Sequence, residues 1–254
     1  MNRNDFFVWL DNNYTDTDFT ERVKEKFDRN KDRFLNPEAV TAMDTDLVDS
    51  IRDSLKGDGK RFIETGTEFG SFILEFSDLL ESGDIEDVFT CEVDEEYYTI
   101  AKYRFLQNHH YRNKINSFLQ PSKELLESLK LKDTDVFFLD AHGGGYDNFT
   151  DNPLTHELRE IANQNVKPTI YIHDFGIELE DGVTDVWYFE YPEVLDKKYW
   201  YRFDFDINDG WKLDWDFIKD DIEKIYGEDG YNITYPNINE PFKHPVGWVK
   251  ISKK

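Results

Sequence analysis

Two short segments hold side chains that could do acid–base or metal chemistry: Asp140 and His142 in FLDAH, and His173 and Asp174 in IHD. Each closes an apolar run, VFFL in one case and TIYI in the other. If the two runs are neighbouring strands, all four side chains meet at one edge of a sheet. Carboxylate plus imidazole there suffices for a divalent metal ion or for a general base. Three further motifs precede them. Glu64-Thr-Gly66-Thr-Glu-Phe-Gly70 stands where a strand would turn into a helix. Glycine at such a turn lets backbone approach a ligand, and free amides at a helix start attract a polar or anionic tail. Glu92, in TCEVD, would end the next strand, where a carboxylate can accept hydrogen bonds from both hydroxyls of a ribose. Gln120-Pro-Ser122 follows the third strand, where the edge of an adenine would be read.

Positioning these residues requires a particular rhythm of elements. Short apolar or β-branched runs are expected as strands at Arg61–Thr65, Asp87–Val93, Lys114–Leu119, Asp135–Leu139 and Thr169–His173. Helical patterns fall between them at Ser71–Leu80, Glu95–Gln107, Ser122–Leu131 (opened by a Ser cap) and Pro153–Asn163. Strands alternating with helices imply a parallel sheet covered on both faces, and right-handed crossovers make it doubly wound. Tyr231–Tyr235 and Gly247–Ser252 have no helix between them and read as an antiparallel hairpin at one sheet edge. The first 56 residues read as a helical extension, with apolar spacing in Val23–Phe34 and Pro37–Leu55. Residues 57–254 read as the main domain, with an aromatic-rich insert at 181–220.

The chain has 254 residues, with 30 Lys+Arg against 54 Asp+Glu and a formal net charge of −24. A field of that sign repels phosphate backbones and anionic membranes, so neither nucleic acid nor a membrane surface is an expected partner. No apolar stretch is long enough to span a bilayer, and the N-terminus lacks the apolar core of a secretion signal. The single Cys91 cannot form an internal disulfide or a thiolate zinc site, and a reducing cytoplasmic setting fits.

Together these motifs resemble the class I S-adenosylmethionine-dependent methyltransferases, over roughly residues 60–176 plus the terminal hairpin. The fold expected is thus α/β: a doubly wound, mostly parallel Rossmann-like methyltransferase sheet with a C-terminal antiparallel hairpin. Within that class, ETGTEFG, TCEVDEEYYTIA and VFFLDAH look most like the catechol and caffeoyl type of O-methyltransferase. The resemblance implies Glu64 and Gly66 near the methionine end of S-adenosylmethionine, Glu92 on its ribose and Ser122 on its adenine. Thr67, Gly70, Ser71, Val93, Gln120 and Asp140 complete the implied cofactor set. It implies a divalent metal ion held by Asp140, His173 and Asp174. The group's catalytic lysine position is occupied by Gly143, which leaves His142 as the nearest candidate base, beside Asp140 and His173 as catalytic residues. His173 stands where the group carries a carboxylate, which would favour softer ions than Mg²⁺.

Trp187–Phe217 is dense in aromatic residues interleaved with acids, a composition that suits a sugar or a phenol. The acceptor expected is therefore a hydroxylated, uncharged small molecule or glycan. The tetrapeptide of nucleic-acid amino-methyltransferases is absent after the fourth strand. Two other classes could use a similar sheet. A nucleotide- or sugar-nucleotide-dependent enzyme would need a phosphate-binding glycine loop, and the Gly-x-Gly-x-x-Gly spacing is missing. A non-catalytic binding protein would retain the fold alone. The N-terminal helices would serve as a lid over the cofactor or as a homodimer contact.

Overall fold

The computed structural model describes residues 2–31, 45–57, 59–141, 152–173, 175, 187–189, 199–201, 213, 215–235 and 248–254. A central sheet collects seven of the described strands: β1 Lys60–Thr65, β2 Ile85–Glu92, β3 Ile115–Leu119, β4 Val136–Leu139, β5 Thr169–His173, β8 Tyr231–Thr234 and β9 Trp248–Lys253. Their order across the sheet is β3-β2-β1-β4-β5-β9-β8. The first five are parallel, and β9 runs antiparallel between β5 and β8. This is the doubly wound sheet with a terminal antiparallel hairpin. The strand order reverses beside β1, which starts the sheet, so a crevice opens between the ends of β1 and β4. β6 Trp187–Phe189 and β7 Tyr199–Tyr201 form a separate two-stranded ribbon inside the aromatic segment.

Period-two alternation explains the packing. Phe62, Val88, Val136 and Phe138 join a core with α3 (Thr45–Leu55), α4 (Ser71–Leu74), α5 (Ser77–Ser82) and α6 (Glu95–Leu106). Ile63, Phe137, Leu139, Ile170 and Ile172 join another with α7 (Ser122–Ser128), α8 (Pro153–Asn163) and α9 (Trp215–Tyr226). Adjacent residues of one strand thus feed opposite faces. A third core lies outside the sheet. There α1 (Arg3–Asn13) and α2 (Thr17–Arg29) pack Phe6, Leu10, Phe19, Val23 and Phe27 against Ile100 and Tyr103 of α6. At the amino end of β1 and β4, Arg61 clamps Asp135 through Nε–Oδ1 (2.8 Å) and Nη2–Oδ2 (2.6 Å), a buried bidentate pair.

Three details differ from the sequence expectation. The helix expected over Ser71–Leu80 is broken at Glu75–Phe76, because Phe76 turns wholly into the core against Phe62 and Phe72. The helix expected to reach Leu131 ends at Ser128. Leu129 is extended there, and Leu131 is carried into the core instead. Ser122 does not cap that helix. Pro121 occupies the cap position, and no side chain bonds the first amides. By contrast α8 begins as its residues demand: Asn152 Oδ1 accepts from the Leu154 amide (2.9 Å), and Pro153 sits at the first turn. No helix among the described residues is long and apolar enough to cross a membrane.

Candidate functional site

The glycine turn leaves β1 at Thr65 and crosses the end of β4. Gly66 and Thr67 donate their amides to the Cys91 carbonyl at the end of β2 (3.1 and 3.0 Å). Gly66 has a φ of 83°, and a Cβ there would lie 2.8 Å from the Asp140 carbonyl oxygen and 3.1 Å from Ala141 Cα. Only glycine allows this crossing. Gly70 takes φ 68° just before α4, where a Cβ would strike the Phe105 ring. Arg104 of α6 then secures the loop exit, donating to the Phe69 carbonyl (2.7 Å) and to Ser71 Oγ (2.6 Å).

Glu92 is half-buried at the end of β2, facing that turn. Its Oε2 accepts the Glu68 amide (2.8 Å), and its Oε1 accepts the amides of Val93 and Asp94 (both 2.9 Å). The carboxylate is thereby held in one orientation, with acceptor capacity left on Oε2. The Gln120 amide donates to the Glu92 carbonyl (3.1 Å), tying in the end of β3. Around these groups lies a cleft of about 720 Å³, within the range of cofactor sites. Gly66 and Glu92 line it, and so do Val93, Gln120, Ser122 and Asp140. Val93 is 66% exposed, an aliphatic face offered to the cleft. Ser122 is buried where it lines the cleft.

Glu64 sits beneath this surface rather than on it. Its side chain is buried and its Oε2 accepts from Thr90 Oγ1 (2.7 Å), which in turn meets Thr67 Oγ1. Burial pushes the Glu64 carboxyl well above its ordinary value, against the Thr90 hydrogen bond. Repulsion from Asp140, Glu92 and Glu68 adds to the rise. Cys91 also borders the cleft, and burial raises its thiol far out of the reactive range.

At the adjoining strand ends, β4 and β5 bring Asp140 and His173 together, with Oδ1 and Nδ1 2.8 Å apart. The Asp140 amide donates to the Thr65 carbonyl (3.1 Å), so β1 fixes the backbone of this residue. The His173 ring lies against Phe138, centroids 5.6 Å apart. Of the four residues expected to converge, the described structure brings these two together. His142 and Asp174 lie outside the described residues. Among the described residues no three His, Cys, Asp or Glu side chains stand as a metal site.

Comparisons with known proteins can be set beside this geometry. No protein-family model matches the chain, and no curated protein matches it. Among solved structures it is similar to the SAH-bound methyltransferase PaMTH1 of Podospora anserina, at 12% identity and TM-score 0.47, covering 99% of this chain and 87% of that one. It is similar to magnesium protoporphyrin IX methyltransferase from Synechocystis, solved with bound SAM, at 12% identity and TM-score 0.45, covering 98% and 90%. It is also similar to precorrin-6y C5,15-methyltransferase from Geobacter metallireducens, at 12% identity and TM-score 0.42, covering 82% and 89%.

The cleft also contains residues that the linear reading did not single out. Asp94 and Tyr97 come from the start of α6, Lys123 from α7, and Pro153 and His156 from α8. Asp94 could have been found, since an Asp before EEYY is a helix cap, and its Oδ1 accepts from the amides of Glu96 and Tyr97 (2.9 and 3.0 Å). His156 had no local signal, because α8 is placed beside the cleft by its packing on α7, α9 and the sheet.

Proposed function

We propose that this chain is an S-adenosylmethionine-dependent methyltransferase that methylates an oxygen of a hydroxylated small molecule or sugar. The observation that carries the reading is the cleft at the carboxyl ends of β1, β2 and β4, with Glu92 locked by three backbone amides at its rim. The donor set fits a nucleoside. Glu92 accepts from ribose hydroxyls, Val93 covers one face of the base, and Ser122 and Gln120 lie where the base edge would be read. Gly66 allows a thioether tail to pass close to the backbone. When bound, the cofactor supplies an electrophilic methyl group on a positively charged sulfur.

The chain's own contribution is alignment and proton management. Asp140 accepts from His173 Nδ1–H, which selects the tautomer whose lone pair lies on Nε2. That nitrogen takes the proton of the acceptor hydroxyl as oxygen becomes the nucleophile. Holding the two reactants in line provides most of the remaining rate gain. The described residues do not assemble a metal site, and no step is assigned to a metal ion. A neutral, hydroxylated acceptor agrees with the net charge of −24 and with the acids of the cleft, Glu68, Glu92, Asp94 and Asp140.

The test is calorimetry on the full chain with S-adenosylmethionine and S-adenosylhomocysteine, beside nicotinamide and sugar nucleotides. Dissociation constants on the order of 1–100 μM are expected for the first pair and no binding for the others. Heat from a sugar nucleotide with silence from both sulfur nucleosides would overturn the reading. A methyl-transfer assay across phenols and glycans then separates an enzyme from a binding protein.

A further inference from the structure

α2 is capped by Asp16, whose Oδ1 accepts the Phe19 amide (3.0 Å), and it buries Phe19, Val23 and Phe27 against α1 and α6. On the side toward the cleft it projects Lys26, whose side chain is only 16% exposed. Lys26 Nζ donates to Asp94 Oδ2 at 2.6 Å and pairs with Glu96 Oε2 at 2.9 Å. It also stands 3.8 Å from the centroid of the Tyr97 ring. Asp94 and Tyr97 are walls of the cleft, whereas Glu96 is not among its lining residues.

Two connections lead from this ammonium to the groups that would hold a nucleoside. Asp94 passes its amide to Glu92 Oε1 (2.9 Å), so the position of Asp94 bears on the acceptor carboxylate. Tyr97 meets Phe69 edge to face, with centroids 4.7 Å apart and planes at 89°. Phe69 belongs to the glycine turn and is buried in the same core as Phe6, Leu10 and Phe19 of the N-terminal helices. Glu68, the residue before it, holds a left-handed φ of 47° and gives its amide to Glu92. One cation from residue 26 thus braces the β2 end, the start of α6 and, through two rings, the glycine turn.

We infer that Lys26 is a positioning residue for the nucleoside cleft, and that α1 and α2 are a working part of the cofactor site. This rests on the proposed reading of the cleft. Lys26 acts through Asp94 and Tyr97 and needs no contact with the ligand itself. Its charge also offsets that of Asp94, the cleft wall that hands its amide to Glu92. Burial by itself would lower the Lys26 ammonium, but its bonds to Asp94 and Glu96 outweigh that and raise it, so the charge persists at neutral pH.

The experiment compares three variants of the full chain by calorimetry with S-adenosylhomocysteine. Lys26→Met keeps the aliphatic stem and removes the charge. Lys26→Arg restores a cation. Arg22→Met removes a neighbouring cation that pairs with Glu96 Oε1 (2.9 Å) but lies outside the cleft contacts. Lys26→Met should raise the dissociation constant about tenfold, the loss expected for one charge-assisted contact, and Lys26→Arg should recover most of it. Arg22→Met should stay within about twofold of the parent, as exposed ion pairs do. If Lys26→Met also stays within twofold, or if all three variants weaken binding alike, or if Lys26→Arg is as weak as Lys26→Met, the inference is overturned. If Lys26→Met does not fold, the other two variants still decide: parent-like binding by Lys26→Arg beside weakened binding by Arg22→Met overturns it. Absence of binding by the parent chain would overturn the reading of the cleft and this inference with it. Parent binding with an unaffected Lys26→Met would overturn this inference alone.

Discussion

The two ends of the cleft are built differently. At the β1–β2 end, Glu92 is held by three amides, the turn by two bonds to the Cys91 carbonyl, and the loop exit by Arg104. At the β4–β5 end, Asp140 and His173 add a side-chain pair to the backbone ladder of the two strands. Redundant ties of the first kind hold the turn and Glu92 in one arrangement, a cradle that suits the cofactor proposed for it. A side-chain pair can turn or exchange a proton without moving the backbone, which suits the proton transfer proposed for this end. In the proposed reading, cofactor holding and proton transfer fall to opposite banks of one crevice.

Variants can break that contrast. The largest expected effect is at the reactive bank: Asp140→Ala should lower methyl transfer by at least about 10³-fold, since the imidazole loses its orienting partner. Its effect on S-adenosylhomocysteine affinity by calorimetry should be far smaller. Retained turnover would remove Asp140 from the proton path. Glu92→Ala should do the reverse, raising the dissociation constant about 10²-fold through loss of a charge-assisted acceptor. Equal losses of affinity in the two variants would erase the distinction between banks. Gly66→Ala addresses the cradle itself. A Cβ in the left-handed region and 2.8 Å from the Asp140 carbonyl should cost about 2–4 kcal/mol of stability, read from denaturant unfolding, and should impair binding.

The smallest effect lies below the cradle and depends on pH. In the unfolded chain Glu64 loses its proton near 4.5, whereas in the fold its carboxyl value is raised by burial. The folded state then binds more protons, so stability falls as pH rises from 4.5 toward the raised value. Glu64→Gln mimics the neutral acid and does not titrate. Its melting temperature should exceed that of the parent at neutral pH and vary less with pH, from about 5 to about 9. Parallel melting profiles for the two chains would show that Glu64 is ionised in the fold.

The alternation of β-branched and apolar runs with helical segments was enough to place β1, β4, β5, α6 and α8 within a residue or two. These elements have strong local causes: full burial on both sheet faces, an Asp or Asn cap, a Pro at the first turn. Elements that depend on distant partners were harder to read. The break at Phe76 exists because Phe62 and Phe72 make a pocket for that ring. Helix α9, with Ile218, Ile222 and Ile225 in the core, was concealed by the aromatic density around Trp215 and Phe217. The site divides in the same way. Glu92 and Gly66 were legible because each works through neighbours in sequence or across one strand pair. His156 and Lys26 were not, because each acts from a helix packed on the rest of the fold, His156 lining the cleft and Lys26 bonding to its wall Asp94.

By itself the sequence determined that a parallel sheet forms, which side chains stand at its carboxyl edge, and that the molecule is strongly acidic. Those properties follow from local periodicity, chain direction and charge count, which need no knowledge of who packs against whom. Only the tertiary structure decided that Glu64 is buried beneath the turn rather than lining the cleft, and that an N-terminal lysine bonds to its wall. Such pairings depend on how helices settle on the sheet, and that is a balance of many weak contacts spread over the whole chain.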